Sequence, residues 1–296
     1  MRKISDTTKG VFFIVVSAFF FALMAVFVRL SGDIFFVQKT FFRNAVAFLI
    51  ALASLLAEAR KKGRQVFSIP KGALLFLILR SAAGSVGIFG NFFAIDRLVL
   101  SDASILNKMA PFFTILFSFI LLKEKIRPVP LIAVICAFLG SIFIIKPSFD
   151  FSKMIPTLAG FLGGIGAGFA YTCVRKLGTL KCNGKIIIMF FSAFSTILSV
   201  PYMVLNFNPM TFQQWIFLIL SGVSAAGGQF AITAAYFHAP AGKISIYDYS
   251  QIIFSTLFGF FIFGQLPDIF SFIGYAIIIS MALVNFIYNN RKQQEN

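Results

Sequence analysis

Apolar residues in this chain fall into ten blocks of about 20, separated by short polar breaks: roughly residues 11–30, 37–57, 72–94, 100–122, 129–146, 156–176, 185–205, 212–235, 243–264 and 269–288. A helix of that length spans roughly 30 Å of hydrocarbon. Strands of a membrane barrel would alternate with period two over about 10 residues, and these blocks do not. The pattern predicts an all-α integral membrane bundle of ten transmembrane helices. A second pattern lies within the first. Shifted by 141 positions, Ala94 falls on Ala235, Ser104 on Ser245, Ile105 on Ile246 and Glu124 on Gln265 without a gap.

The shift divides the chain into two five-helix units, residues 10–147 and 156–288, joined by a break that holds Pro147, Asp150, Lys153 and Pro156. Five spans is an odd number, so the second unit starts on the opposite side of the membrane from the first. The expectation is two inverted five-helix repeats around a central cavity. Polar positions repeat as well. Span 4 carries Ser104, Asn107, Pro111, Thr114 and Ser118 on one face, and span 9 carries Ser245, Asp248, Ile252, Ser255 and Gly259. Span 3 carries Arg80, Gly84, Gly87 and Asn91 on one stripe, matched in span 8 by Ser221, Ala225, Gly228 and Ile232. Matched stripes on non-adjacent helices point to a shared interior. Small and hydroxyl residues also simply let helices pack closely, and both readings stand at this stage.

Composition agrees with the membrane assignment. Of 296 residues, 59% are hydrophobic and only 12% charged, too few to clothe a soluble domain. Mean hydropathy is +0.91. The net charge of +16 would suggest a polyanionic partner in a soluble protein, but its distribution says otherwise. With the amino terminus inside, eighteen of the 26 Lys and Arg residues fall on the cytoplasmic side and five on the other. This positive-inside bias predicts a multi-pass protein of the cytoplasmic (inner) membrane with both termini cytoplasmic, and no nucleic-acid partner. The expected partners are the lipid bilayer and a small-molecule solute, with the chain a monomer or weak homodimer. The first apolar block is too long for a signal sequence and reads as a retained span.

Catalytic chemistry finds little support. There is no HExxH, no GxSxG and no pair of carboxylates within the spans, so the chain is not expected to be an enzyme. His238 stands alone, and neither a metal site nor a cofactor is expected. Cys136, Cys173 and Cys182 suggest no structural disulfide. Trp215 sits at a span end, where an interface anchor is expected.

Charges within the spans are the sharpest single-residue signal, because each costs at least a few kcal/mol without a partner or water. They are Arg43, Arg80, Lys108 and Asp248. Arg80 and Asp248 enter from the same side and could pair. Lys108 has no evident acidic partner and lies beside Asn107, within reach of Asn91. On a functional reading Arg80 or Lys108 holds an anionic group of the solute, and Asp248 holds a cation or a proton. On a structural reading an Arg80–Asp248 bridge fixes helix packing. Arg43, near the outer end of span 2, can snorkel to the interface. Three cations against one acid favour a carboxylate- or phosphate-bearing solute over a cationic drug. Tyr171, Tyr247, Tyr249 and Gln229 complete the set of candidate solute-binding residues, since buried hydroxyls and amides seek partners. The Gly160, Gly164, Gly168 ladder admits close backbone approach, as a sliding surface or as static packing.

The segment 91–126, NFFAIDRLVLSDASILNKMAPFFTILFSFILLKEKI, and the segment 231–265, AITAAYFHAPAGKISIYDYSQIIFSTLFGFFIFGQ, resemble the third-to-fourth helix passage of the drug/metabolite transporter superfamily, EamA branch. Span 1 with Arg29, and span 6 as LAGFLGGIGAGFAYTCVRKL, fit the opening helix of that repeat. The resemblance covers essentially all of 10–288. It implies a ten-helix secondary carrier of small metabolites (amino acids, organic anions, cofactor-like solutes) working by alternating access. The central cavity would be lined mainly by helices 1, 3, 4, 6, 8 and 9. Gln265 departs from the glutamate that the family usually places there. A lipid-linked headgroup flippase and a multidrug exporter are the alternatives. Small four-helix relatives rely on an acid in helix 1 for proton exchange, but residues 11–28 contain no Asp or Glu. Coupling by a proton would therefore fall to Asp248.

Overall fold

The computed structural model describes residues 5–98, 105–125, 127–145, 154–264 and 266–294. Arg2, Lys3, Ser104, Lys146, Lys153, Gln265 and most of the connection between the two units lie outside the described residues. Among the described residues, ten helical stretches are long and apolar enough to cross a membrane. Among the described residues there is no strand. We number the main helices α1 (Asp6–Leu30), α2 (Phe36–Lys62), α3 (Ala73–Arg97), α4 (Ala110–Leu122), α5 (Pro128–Ile145), α6 (Met154–Thr179), α7 (Gly184–Leu205), α8 (Phe212–His238), α9 (Ser250–Phe263) and α10 (Ile269–Gln294). Helices suit this sequence because lipid offers no partner to a backbone N–H or C=O, so each must be satisfied within its own segment. With ten crossings, both ends of the chain emerge on one face, called here the terminal face.

Burial is the reverse of a soluble protein's. Leu49, Val86, Phe119 and Ile120 point outward, while Ser17, Asn44, Ser81, Thr172 and Ser221 are buried. The helices pair as α3 with α6, α1 with α8, α2 with α7 and α5 with α10; α4 also packs on α6, and α9 on α1. Exchanging each helix for the one five places along returns the same set of pairs. Helix α6 presents glycine on two sides. A Cβ on Gly90 of α3 would collide with the Ala159 carbonyl of α6, and one on Gly164 would lie 2.6 Å from the Leu106 carbonyl oxygen. Both helices therefore approach α6 at backbone contact.

Two helices depart from the continuous spans expected from sequence. Span 4 is helical over 105–107, turns at Lys108 and Met109, and resumes as α4. Pro111 has no N–H for the Asn107 carbonyl, and the chain tightens, with the N–H groups of Met109 and Phe112 donating three residues back to Leu106 and Met109. Span 9 divides too, into a turn of helix over Ala241–Ile244, a 3₁₀ segment over Ser245–Tyr249, and then α9. The breaks meet. Because Phe112 donates to Met109, the Lys108 carbonyl has lost its helical donor, and the Tyr249 hydroxyl supplies one at 3.0 Å.

The apolar core gathers toward the terminal face, around Leu55, Leu77, Leu177, Ile187, Tyr236 and Ile244. Two smaller apolar clusters, around Phe36, Val37 and Phe92 and around Ala94 and Leu98, lie toward the opposite face.

Candidate functional site in the middle of the bundle

A cavity of about 110 Å³ lies where the two breaks meet α2, α3, α6 and α8. At about 30 Å³ per water in the liquid it has room for roughly four waters. Of the residues selected from sequence, Arg80, Asn91, Asn107, Lys108, Tyr171, Gln229 and Asp248 line it. Tyr247 and Tyr249 do not. The Tyr247 hydroxyl donates to the Ala282 carbonyl of α10 at 3.2 Å, and Tyr249 is spent on the Lys108 carbonyl. Successive residues of a 3₁₀ turn diverge by about 120°, so with Asp248 turned to the cavity its two neighbours face away.

The pairing expected from sequence is also corrected. Asp248 bonds Lys108, not Arg80: Lys108 Nζ lies 3.0 Å from Asp248 Oδ2, with Gln251 Oε1 at 2.7 Å and the Asp248 carbonyl at 3.3 Å. The helix breaks turn these two side chains toward each other. Gln251, three residues beyond Asp248 on the same face, was not selected from sequence, although its spacing carried the signal.

Arg80 is 2% exposed. Its Nη2 donates to Gln229 Oε1 at 2.8 Å, and its guanidinium carbon lies 3.7 Å from the centre of the Phe191 ring. Its Nε has no partner, and Gly84, one turn later on the same helix, leaves the space the side chain occupies. Arg43 does not snorkel. It is buried on the cavity wall, with Nη1 donating to Asn44 Oδ1 at 3.0 Å and Nε near Met24 Sδ at 3.1 Å. Among the described residues neither guanidinium meets a carboxylate. The cavity thus carries three cations and one acid, and the acid is already engaged by Lys108.

Between the cavity and the terminal face the interior is closed. Tyr171 stacks on Tyr236 at 5.5 Å, and Thr172 Oγ1 donates to the Thr114 carbonyl at 3.2 Å. One layer further, Arg175 of α6 bonds Glu124 at 2.9 Å, just past the end of α4, and reaches the carbonyls of Tyr236 and Phe237 on α8 at 3.1 and 3.3 Å. That link ties three helices together, and the sequence did not mark it. His238 donates to or accepts from no second ligand-type residue, and no cluster of metal-binding side chains occurs among the described residues.

Comparison with known proteins gives this cavity its setting. Residues 8–146 match the EamA-like transporter family. Solute carrier family 35 member G1 of Homo sapiens is 30% identical, over 87% of this chain and 73% of that protein. The chain belongs to the EamA-like transporter family. A second relative within reach is the pseudopaline exporter CntI of Pseudomonas aeruginosa, 29% identical over 92% of this chain and 93% of that one. An uncharacterised transporter of Helicobacter pylori is 27% identical, with 93% of each chain covered. A crystal structure 15% identical to the chain, covering 95% of it, superposes with a TM-score of 0.82 and shares the fold. Membership of the family makes the chain a multi-pass membrane transporter.

Proposed function

We propose that this protein is a secondary carrier that moves a small anionic metabolite across the cytoplasmic membrane by alternating access. One observation carries the reading: two buried guanidiniums, Arg43 and Arg80, line the cavity and meet no carboxylate among the described residues. A buried charge is retained where something neutralises it, and here a solute carboxylate or phosphate does so. Arg80 and Arg43 hold the acid group, while Asn91, Asn107, Tyr171 and Gln229 orient the rest of the solute.

Lys108 and Asp248 supply the coupling. A proton on Asp248 cancels the charge that holds Lys108, freeing the ammonium for the solute. Residues 10–147 and 156–288 act as inverted halves that rock about the cavity. The self-consistent helix pairing under the five-place exchange and the two broken helices at mid-membrane support this, as such breaks are where carriers place their sites. Likeness to an exporter and to a solute carrier supports a solute as cargo. The excess of cations argues against a cationic drug.

The deciding experiment is a thermal-shift screen of the purified protein with small carboxylates and phosphates, followed by flux of the hits in proteoliposomes. Stabilisation by an anionic solute, lost in Arg80→Gln, supports the reading. Equal stabilisation of wild type and Arg80→Gln by every hit would end it, and movement of lipid alone would turn the protein into a flippase.

A further inference from the structure

The interior cavity is not the only basic recess. At the terminal face a second cavity of about 200 Å³ opens between the end of α4, the start of α5 and the Ala241–Ile244 turn. Lys125, Arg127 and Lys243 converge on it from three separate segments, and none of the three makes an ion pair with a described residue. Positive residues on a cytoplasmic face commonly serve orientation alone, but that role needs no concave site and no convergence. Two further features mark a built site. Ser118, 1% exposed, lines the recess with a hydroxyl that has no partner. Glu124 also lines it; Arg175 holds one of its oxygens, and the other, Oε2, is buried and unpartnered. Native proteins leave few such groups unmatched, so each calls for a ligand atom.

We infer that this recess binds a phosphate ester that also carries a hydroxyl or ammonium group. The phosphate lies among Lys125, Arg127 and Lys243, and the Ser118 hydroxyl donates to one of its oxygens. The ligand's own O–H or N–H donates to Glu124 Oε2. Ile115, Pro130 and Leu131 form apolar walls beside these groups. The recess sits at the ends of the membrane-spanning helices, the level of phospholipid headgroups, where basic pockets between helices take anionic lipids. A soluble phosphomonoester offers the same chemistry. The inference stands apart from the proposed solute cavity, since it shares no residue with it.

The test uses the full chain in neutral detergent and follows its melting temperature against sn-glycerol 3-phosphate, phosphatidylglycerol and phosphatidylcholine. Phosphatidylcholine is the negative control, having no net charge and no N–H or O–H donor in its headgroup. Saturable stabilisation is expected from phosphatidylglycerol, and the glycerol phosphate arm decides the source. If it saturates as well, the site takes the soluble ester; if it gives nothing, the site takes the lipid headgroup. In Arg127→Gln/Lys243→Gln the half-saturating concentration should rise at least tenfold, and in Arg80→Gln it should stay unchanged. Should the double variant fail to fold, Ser118→Ala, which removes one buried oxygen, should raise it several-fold. Wild-type half-saturation in the double variant, or in Ser118→Ala where that variant stands in, would overturn the inference. So would loss of the effect in Arg80→Gln, stabilisation by phosphatidylcholine equal to that by phosphatidylglycerol, or no saturable shift with any of the three.

Discussion

Asp248→Asn removes one charge from the interior and almost no volume, so its effect isolates the ion pair. In the native protein the Lys108 ammonium has three acceptors, at 2.7, 3.0 and 3.3 Å, and the carboxylate oxygen is the only charged one. The two side chains are 8% and 13% exposed, so solvent screens the pair little. Breaking a buried pair from one side costs about 3–5 kcal/mol, because the remaining charge is left uncompensated. Gln251 and the Asp248 carbonyl still face Lys108 in the variant, which places the expected loss near the lower end, about 3 kcal/mol. Lys108→Met should cost a similar amount by stranding the carboxylate. The double variant strands neither, so its loss should fall short of the sum of the singles by about 2 kcal/mol. Unfolding of the four proteins in mixed micelles measures this directly. Losses that add within about 0.5 kcal/mol would refute the pairing. A matching cycle between Arg80 and Asp248 should show additivity, since Arg80 is held by Gln229 and Phe191. In flux assays Asp248→Asn should also lose any dependence on a pH gradient, and retained dependence would remove Asp248 from the coupling.

The remaining expectations are simpler to state. Glu124→Gln replaces an ion pair with a bond from the same guanidinium to a neutral amide oxygen, a change of about 1.5 kcal/mol; a cysteine placed at Thr114 should then react roughly tenfold faster with a reagent added from the terminal face, and an unchanged rate would show that Arg175 does not hold that face shut. Gly90→Ala should lower stability by about 1–2 kcal/mol although alanine is the better helix former, because the methyl meets the Ala159 carbonyl; Gly242→Ala, with nothing within 4 Å, is the control and should be neutral or stabilising in the same melts. Burial pushes the Cys182 thiol, in the turn between α6 and α7, up to about 11. Maleimide at pH 7.5 should therefore label Cys182 orders of magnitude more slowly in the native protein than after denaturation, and comparable rates would show that the turn opens.

Most of the architecture was legible because lipid leaves a chain few options: block length named the spans. The cavity was legible in part. A charge in the middle of an apolar run is conspicuous, so Arg80, Lys108 and Asp248 stood out, and all three line it. Their partners were not legible, because depth counted along ideal helices put Asp248 with Arg80. The breaks at Lys108–Met109 and Ser245–Tyr249 changed that register. Pro111 gave notice of the first break, but Ile252, its counterpart, gave none of the second. Arg43 was misjudged for a related reason. Its height in the membrane suggested an escape to the surface, while its side of the helix, set by the packing of α2 against α7 and α8, turned it inward. The Arg175 link joins residues more than 50 positions apart and has no local signature.

The bond from the Tyr249 hydroxyl to the Lys108 carbonyl has a consequence for how this molecule can be divided. Pro111 leaves the first unit with a backbone oxygen it cannot satisfy alone in oil, and the cure comes from the second. Lys108 in turn brings the charge that Asp248 needs. Each side of the chain therefore leaves a polar group that the other side satisfies. Co-expressed as separate pieces, they should find each other through this mutual rescue.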